Sequence, residues 1–106
     1  MDERTREEYW ERIEHLTIEF LNQSRLNYRT ALRNRESGVE EQSTTSAVKE
    51  AILYAQSANT LLSIAEPIVN RRYLSLLDNL RRDTREIISK INSLTNHCAH
   101  MQEASI

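Results

Sequence analysis

Two histidines and the only cysteine lie close together near the C-terminal end of the sequence. His97, Cys98 and His100 fall within four residues, and imidazole and thiolate are side chains that bind zinc. On a helix, His97 and His100 would share one side, whereas Cys98 would point about a hundred degrees away from His97. The sequence supplies no third or fourth ligand on the histidine side, so we expect no metal ion and no other cofactor.

A second candidate for metal or acid–base chemistry is the group of Glu11, Glu14 and His15. Carboxylate-bridged metal sites in helical proteins use Glu-x-x-His or repeated Glu-x-x-Glu motifs on facing helices. Glu11 and Glu14 have one such spacing, but His15 is four residues from Glu11 and no second motif completes the site. The sequence shows no base or nucleophile that would act with any of the histidines, so we expect a non-catalytic protein.

Arginines form two basic patches whose chemistry would suit phosphate groups. Arg25, Arg29 and Arg33 recur every four residues and would share one helix face. The second patch consists of Arg71, Arg72, Arg81, Arg82 and Arg85. Guanidinium groups bind phosphate through paired hydrogen bonds, but a net charge of −2 is unusual for a dedicated nucleic-acid-binding protein. Nucleic-acid binding through these arginines is therefore the alternative function.

The composition predicts the elements that must carry these side chains. Only one glycine and one proline occur in 106 residues, which favours a few long helices over strands joined by turns. The length corresponds to one domain, and we expect an all-α fold. One cysteine excludes an internal disulfide, and the sequence holds neither a signal-peptide pattern nor an apolar run long enough for a membrane span. We therefore expect a location in the cytosol or nucleus.

Hydrophobic periodicity divides the chain into three helical segments. Helices are predicted at about residues 5–35, 44–66 and 67–101, with a loop at 36–43 and a tail at 102–106. On the first helix, one apolar stripe contains Tyr9, Ile13, Leu16 and Phe20, and a neighbouring stripe contains Trp10, Thr17, Leu21, Ser24 and Tyr28. The loop holds the only glycine and a Ser/Thr cluster suited to helix capping, so the first two helices are expected to form an antiparallel hairpin.

The second predicted helix carries a seam of small residues. Its members are Ala51, Ala55, Ala58, Leu62, Ala65 and Val69. Small side chains let two helices approach closely. Pro67 lies within the seam, between Ala65 and Val69. It would either begin a third helix at its first turn or kink one long helix. The sequence therefore leaves open a three-helix bundle and a kinked long helix.

The most regular apolar pattern follows Pro67, with spacings that alternate between four and three residues. It runs through Tyr73, Leu77, Leu80, Thr84, Ile87, Ile91, Leu94, Cys98 and Met101. This spacing is typical of a coiled-coil seam. Because the first helix turns polar at Gln23 and Asn27, we expect another chain to cover this seam. The predicted interface consists of Tyr73, Leu77, Leu80, Ile87, Ile91, Leu94 and Met101.

These patterns together favour one class of function. We expect a helical scaffold or adaptor that acts through coiled-coil contacts, either as a homodimer or with other helical subunits of a complex. An enzyme would need titratable groups held within reach of one another in a pocket, and the sequence shows no such constellation.

Overall fold

The computed structural model describes residues 2–38 and 41–104, and the side chains of residues 2–38 and 43–95. It contains helix α1 (Glu3–Glu36), helix α2 (Glu41–Ala65), a short 3-10 helix (Arg71–Tyr73) and helix α3 (Leu74–Ala104). The described residues include no strand, so the predicted all-α fold class is confirmed. Over the same residues, none of the helices combines the length and the apolar character needed to span a bilayer.

Local hydrogen bonds fix both ends of α1. The helix begins at Glu3, ahead of the predicted start, because the carboxylate of Asp2 accepts a hydrogen bond from the Thr5 backbone N–H at 2.8 Å. This bond lowers the pKa of Asp2. At the other end, the Ser37 N–H donates to the Arg33 carbonyl at 2.9 Å. Gly38 then takes a positive φ of 69°, which a residue without a Cβ adopts at low cost.

Pro67 ends α2 and does not begin α3. Proline has no N–H to donate to the preceding turn, and its ring disfavours helical backbone at Glu66. The helix therefore stops at Ala65, whose carbonyl accepts from the Val69 N–H at 2.9 Å. Asn70 then caps the 3-10 helix that leads into α3. The third helix begins at Leu74 and not at residue 67, so the kinked long helix is not formed.

The three helices lie side by side, with α1 and α3 parallel and α2 antiparallel to both. Trp10 stacks on Tyr73 where α1 and α3 begin. Ala31 and Leu94 share one cluster with Ala47, where α1 and α3 near their ends and α2 begins. The result is an elongated molecule of 59 × 18 × 16 Å, whose length is close to that of α1 alone.

The centre of the core is built on the alanines of α2. Ala51, Ala55 and Ala58 are buried together with Leu21 of α1 and Ile87 and Ile91 of α3. Because alanine side chains leave little space between two helices, small residues of α1 can pack at this contact beside Leu21. The buried stripe of α1 is therefore the neighbouring one, which includes Thr17 and Ser24.

The burial of the other predicted stripe of α1 differs along its length. Ile13 is buried, but Tyr9 and Leu16 remain 38% and 41% exposed, and Phe20 is half-buried. This apolar stripe is therefore only partly buried. Its members lie at the edge of the contact because the narrow α1–α2 interface has no room for two rows of large side chains.

Some buried hydroxyl groups in the core have a hydrogen-bond partner and one does not, among the described residues. Ser24 Oγ donates to the Ala51 carbonyl at 2.7 Å and ties α1 to α2, and Thr84 Oγ1 donates to the Leu80 carbonyl at 2.7 Å. Thr17 Oγ1 is buried and has no hydrogen-bond partner among the described residues. A buried hydroxyl without a partner reduces stability.

The core assignment of α1 can be tested with two leucines of the same helix. Leu21 is 2% exposed and Leu26 is 56% exposed. We expect Leu21→Ala to lower the free energy of unfolding by about 2–5 kcal/mol, because it leaves a cavity in the core. Leu26→Ala should change it by less than about 0.5 kcal/mol. Urea denaturation followed by circular dichroism measures both, and equal effects would contradict the assignment.

The two buried hydroxyls of α1 give a second test with opposite signs. Thr17→Val removes a hydroxyl without a partner and keeps the shape of the side chain, so we expect the protein to gain about 1 kcal/mol in stability. Ser24→Ala removes the bond to the Ala51 carbonyl and should cost about 1 kcal/mol. Thermal and urea unfolding would show the difference. A loss of stability in Thr17→Val would mean that its hydroxyl has a partner.

Candidate interaction surfaces

The apolar seam of α3 packs within its own chain. Leu77 and Ile91 are 1% and 0% exposed, and Ile87 and Leu94 are also buried, while Tyr73 and Leu80 are half-buried. The premise that this seam lacks an intramolecular cover is wrong, since residues of α1 and α2 pack against it together. Binding of a partner along the seam stays a prediction, and it would now require the helices to separate.

Several predicted residues near the C-terminal end lie outside the described side chains. They are His97, Cys98, His100 and Met101. Among the residues that are described, no group of three or more His, Cys, Asp or Glu side chains is placed to hold a metal ion. His15 is exposed and lies 3.2 Å from Glu19 of the same helix, with which it pairs when protonated. His15 therefore lies on an exposed face of α1 beside an acidic residue.

Aromatic and charged side chains hold the starts of α1 and α3 together. The rings of Trp10 and Tyr73 stack with their centroids 5.9 Å apart. The Arg72 guanidinium lies 4.8 Å from the centroid of the Tyr73 ring and forms an ion pair with Glu7. Tyr73 is therefore contacted by two residues of its own chain, which argues against a primary role for it in binding a partner.

Carboxylates of neighbouring helices neutralise several of the arginines predicted to bind phosphate. Arg25 lies 3.9 Å from Asp83 of α3, and Arg81 lies 2.6 Å from Glu66 after the end of α2. Arg72 pairs with Glu7, as described above. Arg29 and Arg33 are exposed and form no ion pair with the described side chains. The structure therefore does not present the predicted patches as continuous cationic surfaces.

One open surface lies between the C-terminal part of α1 and the middle of α3, and we name it the basic groove. Its apolar floor contains Tyr28 and Leu32 of α1 with Ile87 and Leu94 of α3. Its walls carry Arg25, Arg29, Arg35 and Lys90, together with Asp83 and Glu86. Cations therefore outnumber acids, and the groove combines a hydrophobic floor with a positively charged rim.

A second surface lies on the opposite side of α1, beside α2, and we name it the outer face. Phe20 of α1 contacts Tyr54 of α2 with ring centroids 6.0 Å apart. Since the helices are antiparallel, residues before Phe20 lie beside residues after Tyr54. By helical spacing from this contact, we assign to the outer face Tyr9, Leu16 and Phe20 of α1 and Tyr54, Leu61 and Ile64 of α2, together with Ile68, which follows α2. Ile64 is 49% exposed, in addition to the partly exposed Tyr9 and Leu16.

The α2 side of the outer face carries no charge. No Asp, Glu, Lys or Arg occurs between Ala51 and Ala65. Its half-buried hydroxyl group, Ser57 Oγ, donates to the Leu53 carbonyl of the same helix at 2.9 Å. Groups that already have hydrogen-bond partners lose less when water is removed from them. This side of α2 can therefore be covered at low desolvation cost.

The sequence interpretation missed both surfaces, although one of them left a visible signal. A stretch from Ala51 to Ala65 without charged residues, in a chain that is 28% charged, is unusual for a helix with an exposed side. The basic groove had no such signal. It arises because α1 and α3 are brought side by side from distant parts of the sequence.

No protein-family profile matches the chain, and no curated protein or solved structure matches it. The assignment of these surfaces therefore depends on the chemistry and geometry of this chain.

The Arg81–Glu66 pair predicts a pH effect that can be measured. The hydrogen bond from Arg81 and its charge lower the pKa of Glu66 in the folded protein. A lowered pKa stabilises the fold above the unfolded pKa, and this stabilisation is lost as the pH falls through the folded value. We expect Arg81→Gln to raise the Glu66 pKa toward its ordinary value, as followed by NMR titration of the carboxyl carbon. Arg85→Gln, at an exposed position on the same helix, should leave it unchanged.

Proposed function

We propose that this protein is a non-catalytic helical interaction module, a three-helix bundle that forms a homodimer through its outer face. The observation that carries the proposal is the exposure of large apolar side chains on α1 and on the uncharged part of α2. Tyr9, Leu16 and Ile64 are each exposed by more than a third. Exposed apolar side chains that group on one surface are characteristic of protein interaction sites.

The chemistry of the outer face favours a second copy of the chain as its partner. In a two-fold dimer the same patch of both copies meets itself. A charged patch would then place like charges opposite one another, whereas the uncharged α2 side meets its copy without repulsion. The long axis of the face follows the helices, so two copies would contact along several helical turns.

The free energy gained by burying these apolar side chains favours a weak dimer over a permanent one. Removing the exposed parts of Leu16 and Ile64 from water is worth roughly 1 kcal/mol for each side chain. Both copies contribute, but association costs several kcal/mol in lost freedom of motion, so these two side chains alone do not hold a dimer and the aromatic residues of the outer face must add to them. We expect a weak dimer with a dissociation constant on the order of 10 μM. A dimer of this strength suits an adaptor whose assembly depends on local concentration.

The distribution of ionisable groups supports a non-catalytic role. The described acids and bases lie on exposed helix faces, where many of them pair within a helix or across helices. Catalysis needs such groups to converge in a pocket that limits access of water. Turnover of a substrate that is lost on changing Glu11 or His15 would overturn this part of the proposal.

Nucleic-acid binding through Arg25, Arg29 and Arg33 is the weaker candidate. Arg25 pairs with Asp83, and further acids line the groove beside Arg29. Phosphate binding would require these carboxylates to lie near negative charges. A nucleic-acid ligand would reveal itself by affinity that falls steeply with salt.

The dimer is tested by introducing charge into the outer face. We expect the double variant Leu16→Glu/Ile64→Glu to be monomeric, because each glutamate would be buried against a second copy without a partner. Sedimentation equilibrium over a micromolar concentration series measures the change. The control is Leu26→Glu, which introduces one glutamate at a position 56% exposed on another side of α1.

Circular dichroism must show equal helix content in all three proteins. A wild-type protein that stays monomeric at about 100 μM, well above the expected dissociation constant, would contradict the proposal. So would a dimer that survives the double substitution, since it would have to use another surface.

A further inference from the structure

The basic groove has the features of a docking site for one more helix. Its apolar floor includes Tyr28 and Leu32, which are only half-buried, between helices that run parallel. An amphipathic helix buries its apolar stripe in a groove of this kind and keeps its polar sides at the rim. The floor of the groove can therefore bury the apolar stripe of such a helix.

The rim of the groove specifies the charge of the helix that fits it. From Asn22 to Arg35 the sequence of α1 contains four arginines and no acid. Of these, Arg25 is matched by Asp83, while Arg29 and Arg35 line the groove with Lys90 facing them from α3. Unlike charges across an interface favour binding and exclude partners of the wrong sign.

We propose that the basic groove binds an acidic amphipathic helix of a protein partner. Aliphatic side chains of that helix contact Tyr28 and Leu32. Its Asp or Glu residues pair with Arg29, Arg35 and Lys90. The groove lies on the α3 side of α1 and the outer face lies on the α2 side, so both can be occupied at once. The proposal therefore goes beyond dimer formation and does not depend on it.

The occupant is a helix rather than a nucleic acid because of the groove's composition. Its floor is aliphatic apart from Tyr28, and Asp83 and Glu86 stand among its cations. Phosphates spaced along a nucleic-acid strand would pass close to these two carboxylates. A helix can place acids beside the cations and neutral residues beside Asp83 and Glu86.

The test uses the full chain and three synthetic peptides of about 18 residues, which is five helical turns. The first has leucines at alternating spacings of three and four with glutamates on its flanks. The second has the same composition in scrambled order, and the third has lysines in place of the glutamates. Binding is measured by fluorescence polarisation at two salt concentrations, with a single-stranded RNA oligonucleotide of similar length as a fourth probe.

We expect the chain to bind the acidic amphipathic peptide and to prefer it over the other probes by about tenfold or more. Higher salt should weaken this binding. Arg29→Glu should reduce the affinity about tenfold, whereas Arg33→Glu, which makes the same change at an exposed position outside the groove, should alter it by less than about threefold.

Each contrary result overturns the inference. Absence of binding by the acidic peptide, equal binding of the scrambled peptide, or preference for the basic peptide or the RNA would each exclude an acidic helix as the ligand. Equal loss in Arg29→Glu and Arg33→Glu would indicate a diffuse cationic surface. Repeating the measurement on Leu16→Glu/Ile64→Glu separates the two proposals, because the groove should bind the peptide unchanged whether or not the chain forms a dimer.

Discussion

The close contact between α1 and the alanines of α2 determines how the rest of the molecule is arranged. Ala51, Ala55 and Ala58 are completely buried, and helices that meet through such small side chains lie near the short end of the usual range of distances. At this distance, small residues of α1 fit the point of contact, and Leu21 packs against the alanines beside them. This explains why Thr17 and Ser24 lie in the core, and why a hydrogen bond can reach from Ser24 to the Ala51 carbonyl.

The same constraint produces the outer face. A wider interface between α1 and α2 would accommodate more large side chains of α1. In the narrow one, such side chains lie at the edge, and Tyr9 and Leu16 stay partly exposed. On the α2 side, they meet a helix without charged residues. The small side chains of α2 thus account both for the close packing in the centre of the molecule and for the exposed apolar surface at its edge.

Helix α3 covers the other side of this pair and does so less evenly. Large residues such as Ile87 and Ile91 fill the centre, and stacking of Trp10 on Tyr73 fastens the start of the helix to α1. Beside the C-terminal part of α1, the two helices leave the basic groove between them. The fold therefore presents two chemically different surfaces on either side of α1.

The sequence by itself determined the kind of structure this chain forms. Scarcity of glycine and proline predicts long helices, and the regular spacing from Leu77 to Leu94 correctly marks one face of α3 as apolar. Periodicity identifies such a face but not the neighbour that covers it, which is why the seam was assigned to another chain. Neighbouring stripes on α1 differ by only a small rotation, so the distance between packed helices decided which of them is buried. Only the tertiary structure could place Lys90 opposite Arg29, because the groove between them joins residues far apart in sequence.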